Sequence, residues 1–260
     1  MAEQKDEALH VKKQIQVLQD DLAQIKTNNQ VIWGLLVQIG NRLQRSSTAI
    51  KTAVSSLLDF DIFWDETTQY EFLQAIDSSV NEMADLIVLM TLAFRSQAKT
   101  LEIEAEPNSL QEILVSLQTT SNKNGRETKL ETYYPSEGEP ALVDYQYLSL
   151  ALTLLIEVIF SEDKDAVKLS IITFKSSDYW HLQIKHINPS IVAIVRHFFE
   201  QANDIVTIAN QTLPENALKL ITACRILYLQ NIQLCEKDSA LNPTAICLQI
   251  PMAVDSPREK

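Results

Sequence analysis

Residues 141–160 read ALVDYQYLSLALTLLIEVIF. Asp144 stands where an N-cap belongs, and the run LSLALTLLIEVIF that follows carries Glu157 as its single charge. A helix apolar on every side is buried on every side, so this one belongs inside a layered domain and not on its surface. It falls short of the roughly 18 apolar residues that a membrane span requires. Strands and helices alternate around it. Upstream, LEIE at 101–104 reads as a short strand, Ser109 to Glu112 forms a capping box opening a helix through Leu117, and 129–134 reads as a strand after an Asn-Lys-Asn-Gly turn. Downstream, strands are expected at 166–174 and 179–187, helices at 191–200 and 214–229, and closing strands at 231–236 and 244–250. Helices on one face of a mixed sheet make an α/β sandwich.

Composition narrows the chemistry. The 260 residues include four glycines, Gly34, Gly40, Gly125 and Gly138, where average usage of about 7% would give roughly 18. Phosphate-cradling loops need backbone that enters positive φ and approaches a ligand without a Cβ, and no pair of these glycines has the spacing of such a loop. A formal net charge of −12 excludes duplex nucleic acid and anionic membrane surfaces as expected partners, because both bind through clustered Lys and Arg. Cys224, Cys235 and Cys247, spaced 11 and 12 apart, fit neither a zinc site nor a disulfide framework and read as buried thiols in a reducing compartment. The N-terminus MAEQKDEALH lacks the apolar core of a signal peptide, so a cytoplasmic location is expected.

The first hundred residues have a different texture. A heptad runs from Val11 to Leu57, with Ile15, Leu22, Asn29, Leu36, Leu43, Ile50 and Leu57 at a, and Val11, Leu18, Ile25, Ile32, Ile39, Ser46 and Ala53 at d. Asn29 at a favours a parallel dimer, whereas Leu at a with Ile at d leans towards four strands. A two-stranded coil entering a four-helix core after about Leu36 reconciles the two. The second helix of that core starts after Asp65, a plausible N-cap, and repeats Leu73, Ile76, Val80, Met83, Ile87, Met90 and Phe94 at steps of three and four. A hairpin of this kind leaves one apolar stripe in water until a second copy covers it. The expected dimer core is Leu22, Asn29, Leu36, Leu43, Ile50, Leu73, Ile76, Val80 and Met83.

The order of these parts resembles the transmitter core of bacterial sensor histidine kinases. The resemblance spans nearly all of residues 30–251 and is carried by Asp65 to Leu89, LEIEAEPNSLQEIL at 101–114, ALVDYQYLSLALTLL at 141–155 and LQIKHINPSI at 182–191. It implies an α+β fold: a coiled-coil signalling helix over 1–40, a dimerisation hairpin over 41–98, an ATP-binding-like sandwich of the Bergerat type over 99–252, and a tail over 253–260. It also implies that the family's chemical motifs are lost. The phosphoacceptor box, aligned through Thr48, Ala49 and Ile50, puts Asn41 at the histidine position and Arg42 at its acidic neighbour. A carboxamide nitrogen has its lone pair delocalised and cannot act as the phosphoryl acceptor, and no histidine stands between His10 and His181. The asparagine box, whose second Asn holds Mg²⁺, falls on Leu154 and Val158. The first glycine box falls on His186, Asn188 and Ser190, and the second on Ala217, Leu218, Lys219 and Leu220. Residues 192–211, VAIVRHFFEQANDIVTIANQ, replace the mobile lid with an apolar segment expected to pack as a helix and close the pocket.

These losses imply no catalytic residue, no metal and no cofactor, and a dimeric signalling or adaptor protein that acts by binding. In the family, response regulators dock on the hairpin below the phosphoacceptor, here Gln44, Arg45, Ser47, Thr48, Lys51 and Thr52. A receiver domain or another histidine kinase is the expected partner. Two other readings stand beside this one: a small-molecule sensor with a pocket relined by Leu154, Val158, Trp180 and His186, and an atypical phosphotransferase using His10 or His186. By strand alternation His186 shares a face with Trp180, Leu182 and Ile184, which reads as a core histidine, and His181 faces solvent. His197, beside Phe198 and Phe199, reads as packing. Glu157 reads as half of a salt bridge. Gly34 and Gly40, inside a helix, mark either a flexible joint or close packing.

Overall fold

The structure, a computed structural model, describes residues 34–58, 64–98, 100–123, 129–135, 139–163, 168–176, 178–200, 216–235 and 243–253, with residues 13 and 16. Leu22 and Asn29 lie outside the described residues, as do His10 and most of the coiled-coil segment over 1–40. The chain divides into two compact units, which meet in sequence between Val88 and Leu89.

The first unit is a helical hairpin. Helix α1 (34–57) and helix α2 (Glu66–Gln97, of which the part up to Val88 belongs to this unit) run antiparallel. Asp65 caps α2 as expected, its Oδ1 accepting from the Thr68 amide at 2.7 Å, and Trp64 Nε1 donates to the Ser56 carbonyl at 2.9 Å, tying the start of α2 to the end of α1. Farther along, Glu82 accepts from Arg42 at 3.0 Å and from Ser46 at 2.8 Å. These bonds stabilise the carboxylate, so the Glu82 pKa lies below its ordinary value, the Ser46 hydroxyl contributing most. The seam that α1 buries contains Leu35, Ile39, Ser46 and Ala53, largely the d set of the heptad. The a set, Leu36, Leu43 and Ile50, is only half-buried.

The second unit is a two-layer sandwich. Its sheet has five strands in the order β2-β4-β5-β7-β6, formed by β2 (Lys129–Tyr133), β4 (Lys168–Ser176), β5 (Tyr179–Lys185), β7 (Ala245–Pro251) and β6 (Gln233–Leu234). The β2–β4 pair is parallel and the others antiparallel. The helices are α3 (Leu110–Lys123), α4 (Tyr145–Glu162), α5 (Pro189–Glu200) and α6 (Ala217–Leu229). Leu182, Ile184, Leu248 and Ile250 point from the sheet to the helical side and are fully buried, as the two-residue alternation requires. Helix α4 starts where expected, with Asp144 Oδ1 accepting from the Tyr147 amide at 3.1 Å. Eight of its residues are buried, including Leu152, Leu155 and Ile159 at the centre.

Two local expectations are corrected. LEIE at 101–104 is not a strand: the strand is β1 (Glu106–Asn108), which pairs antiparallel with β3 (Ala141–Val143) beside the main sheet. Ser109 does cap α3, accepting from the Glu112 amide at 3.4 Å, but the helix continues past Leu117 to Lys123.

Candidate functional site

In the fold implied by the resemblance, a nucleotide would lie between α4 and α6 at the end of β5. Leu154 and Val158, on which the resemblance places the asparagine box, are buried on α4, 7% and 1% exposed. Neither carries an oxygen for a hard cation. One turn after Leu154 and next to Val158, Glu157 Oε2 accepts from Lys219 Nζ at 2.7 Å, so the expected salt bridge forms and its cation comes from α6. Ala217 is fully buried at the start of α6. Asn216 does not cap α6 with its side chain; its Nδ2 donates instead to Ser161 Oγ and Glu162 Oε1, both at 2.9 Å. The two helices are thus tied by polar groups at one end and by apolar packing along the seam. An ATP·Mg²⁺ complex does not fit this set as the resemblance aligns it: the position it gives to the metal-holding Asn is Val158, which has no oxygen ligand, and the lysine nearest the helix start is paired.

The β5 end has also changed role. Strand β5 stops at Lys185, and His186 adopts φ +68°, the left-handed region. The turn breaks the alternation, so His186 is exposed and Ile187 enters the core in its place. This corrects the expectation of a core histidine on the Trp180 face. Asn188 and Ser190 then serve the next helix. The Asn188 side-chain oxygen accepts from the Ser190 amide at 3.0 Å and from its hydroxyl at 2.8 Å, and the Asn188 amide donates to Asp163 Oδ2 at 3.1 Å. Helix α5 buries Ile191, Val192, Val195, Phe198 and Phe199, and Arg196 donates to the Ala245 carbonyl at 3.2 Å. The segment expected to close the pocket is helical up to Glu200; residues 201–215 lie outside the described residues. A cavity of about 130 Å³ lies elsewhere, lined by Leu110, Tyr134, Glu139 and Trp180 among others, and includes none of Leu154, Val158 or His186.

On the hairpin, Asn41 is exposed on α1, and so are Gln44, Arg45, Ser47, Thr48, Lys51 and Thr52. Thr48 Oγ1 donates back to the Gln44 carbonyl at 2.8 Å. A Cβ built on Gly40 meets nothing within 4 Å, so close packing within the chain does not account for that glycine. Of the expected dimer core, Leu73 and Val80 are 56% and 49% exposed, and Ile76 and Met83 are half-buried.

The cysteines depart furthest from expectation. Cys235 and Cys247 are joined in a disulfide, with Cα atoms 5.4 Å apart, and only Cys224 is a free buried thiol, its pKa pushed up to about 12 by burial. The twelve-residue spacing conceals a cross-strand pair: β6 and β7 run antiparallel with Leu234 opposite Leu248, and Cys235 donates its amide to the Cys247 carbonyl at 2.9 Å. His181 is half-buried beside them, not solvated. The available signal was the outward phase of β5 and β7, which puts His181 and Cys247 on the same face of the sheet.

No family model matches the chain, and no curated protein matches it in sequence. Among solved structures it is similar to the Acinetobacter baumannii histidine kinase AdeS, with TM-score 0.57 and 17% identity over 82% of this chain and 98% of that one. It is also similar to full-length ShkA in complex with AMPPNP, with TM-score 0.52 and 12% identity over 84% of this chain. It spans 46% of the ShkA chain. The fold, a helical hairpin followed by a mixed α/β domain, is therefore similar to that of histidine kinase structures.

Proposed function

We propose that this chain is a dimeric signalling adaptor of two-component type that has kept the kinase scaffold, lacks kinase activity, and acts by binding a receiver domain or another histidine kinase. The observation that carries the reading is on α4 and α6, where Leu154 and Val158 are buried and Lys219 is held by Glu157 at 2.7 Å. A nucleotide entering there would have to part an apolar contact and an ion pair and gain no ligand for its metal. Asn41, exposed on α1, supports the same conclusion from the other substrate's side, since it offers no nucleophilic nitrogen. The docking surface is the exposed strip Gln44, Arg45, Ser47, Thr48, Lys51 and Thr52, and the dimer is formed by the apolar stripes that one hairpin leaves uncovered.

The test is phosphate transfer. Incubated with labelled ATP and Mg²⁺, with and without receiver domains from the same organism, the purified chain is expected to acquire no label and pass none on. Label stable to base and labile to acid, as on a phosphohistidine, would overturn the reading. Capture of a receiver domain that is lost when Arg45 and Lys51 are changed to Glu would support the docking surface.

A further inference from the structure

The outer face of the sheet, opposite the helices and away from the α4–α6 seam, carries a cluster that the proposed function does not use. His181 lies on β5, Cys247 on β7 and Cys235 at the end of β6. Their ligand atoms all lie within 4.8 Å of one another. His181 Nδ1 is 3.3 Å from Cys235 Sγ and 3.8 Å from Cys247 Sγ. The cysteines are 7% and 5% exposed, and the imidazole is stacked on Phe174, with ring centres 4.9 Å apart and planes inclined by 6°. That stacking fixes the ring with Nδ1 aimed over β7 at the sulfurs. Two donors therefore stand on adjacent, hydrogen-bonded strands, and the third, Cys235 just after β6, is held to β7 by its amide bond to the Cys247 carbonyl, which together is a more rigid mounting than free loops provide.

We propose that, once the disulfide is reduced, Cys235, Cys247 and His181 bind one thiophilic cation, zinc(II), with water completing a tetrahedral set, and that the metal-bound and disulfide forms are alternative states of the same pair. Zinc bonds of about 2.3 Å to sulfur and about 2.05 Å to nitrogen, at tetrahedral angles, place N and S about 3.6 Å apart. The two N···S distances, 3.3 and 3.8 Å, bracket that value. The sulfurs must separate to about 3.8 Å in the same geometry, which rotation of both side chains about χ1 supplies while the Cα atoms stay 5.4 Å apart. The balance is closed with a trialkylphosphine as reductant: phosphine, water and the disulfide give two thiols and the phosphine oxide. Two thiols and Zn²⁺ then give the dithiolate complex and two protons. Cys224 takes no part, because it is fully buried and its thiol is held protonated.

The full chain is the material for the test, in phosphine-reduced and diamide-oxidised forms, titrated with zinc against a chromophoric chelator and with cobalt(II) as a spectroscopic stand-in. The reduced chain is expected to take up one metal ion per chain, with a thiolate-to-cobalt charge-transfer band and the intense visible bands of a tetrahedral site. The oxidised chain, with its fold intact, is expected to take up none. His181→Gln and Cys247→Ser are each expected to weaken zinc binding on the order of 100-fold. Equal binding by both redox forms, or no stoichiometric binding by the reduced chain, would overturn the proposal. The comparison of redox forms uses the unaltered sequence, so it decides the matter even where a cysteine variant folds poorly.

Discussion

His186 shows how one backbone angle redirects a site. Strand alternation assigns it to the buried face, but a single residue at φ +68° ends the strand, exposes the histidine and hands the core position to Ile187. Histidine is among the residues enriched at such angles, but its identity alone does not place one here. Cap residues are the opposite case: Asp65, Ser109 and Asp144 were all legible, because the bond from a side-chain oxygen to an amide three residues on is local. Cys235 and Cys247 were not, since their meeting depends on the register of β6 against β7. Glu82 carries the prediction at this scale. Its pKa is lowered from an ordinary 4.5 by Ser46 and then Arg42, so the charged form favours the folded hairpin. That contribution is fully present above pH 4.5 and is lost as pH falls through the lower, folded-state value. Urea unfolding followed downward from neutral pH is expected to show stability falling across this window, and Glu82→Gln is expected to flatten the fall. An unchanged pH profile in the variant would show that Ser46 and Arg42 do not hold the carboxylate.

Among the elements, α4 was the most legible and the β1–β3 pair the least. The long apolar run of α4 admits one physical solution, burial on all sides, whereas strands of three residues each carry too little pattern to stand out. Helix α1 illustrates a heptad whose two seams have different fates: d is spent within the chain, against α2, and a is left half-buried. Gly40 sits in that helix with open space where a Cβ would be. Gly40→Ala is therefore expected to raise stability by about 0.5–1 kcal/mol through helix propensity and a less free unfolded chain. Chemical denaturation measures this. A loss of stability instead would mean that a partner chain packs directly against Gly40.

At the scale of the whole molecule, the histidine-kinase-like layout was legible because the hairpin periodicity, the buried α4 and the strand order all point the same way. Dimerisation is the first prediction here. Leu73, Val80 and Ile87 repeat at seven-residue steps along α2 and are 56%, 49% and 50% exposed in the single chain. Light scattering at micromolar concentration is expected to give twice the mass of one chain, and Val80→Glu with Leu73→Glu to give the mass of one. A monomer before mutation would refute the four-helix arrangement. Four glycines in 260 residues then take on a specific meaning. In the second unit, positions where the resemblance implies glycine are filled by a helix-capping Asn188, its partner Ser190, a buried Ala217 and an ion-paired Lys219. In the proposed reading, the scaffold is closed residue by residue around the place a nucleotide would take. Equilibrium titration of the purified chain with labelled ATP in the presence of Mg²⁺ tests that most directly: no saturable binding up to millimolar nucleotide is the expected result, and saturable binding at micromolar concentration would contradict it.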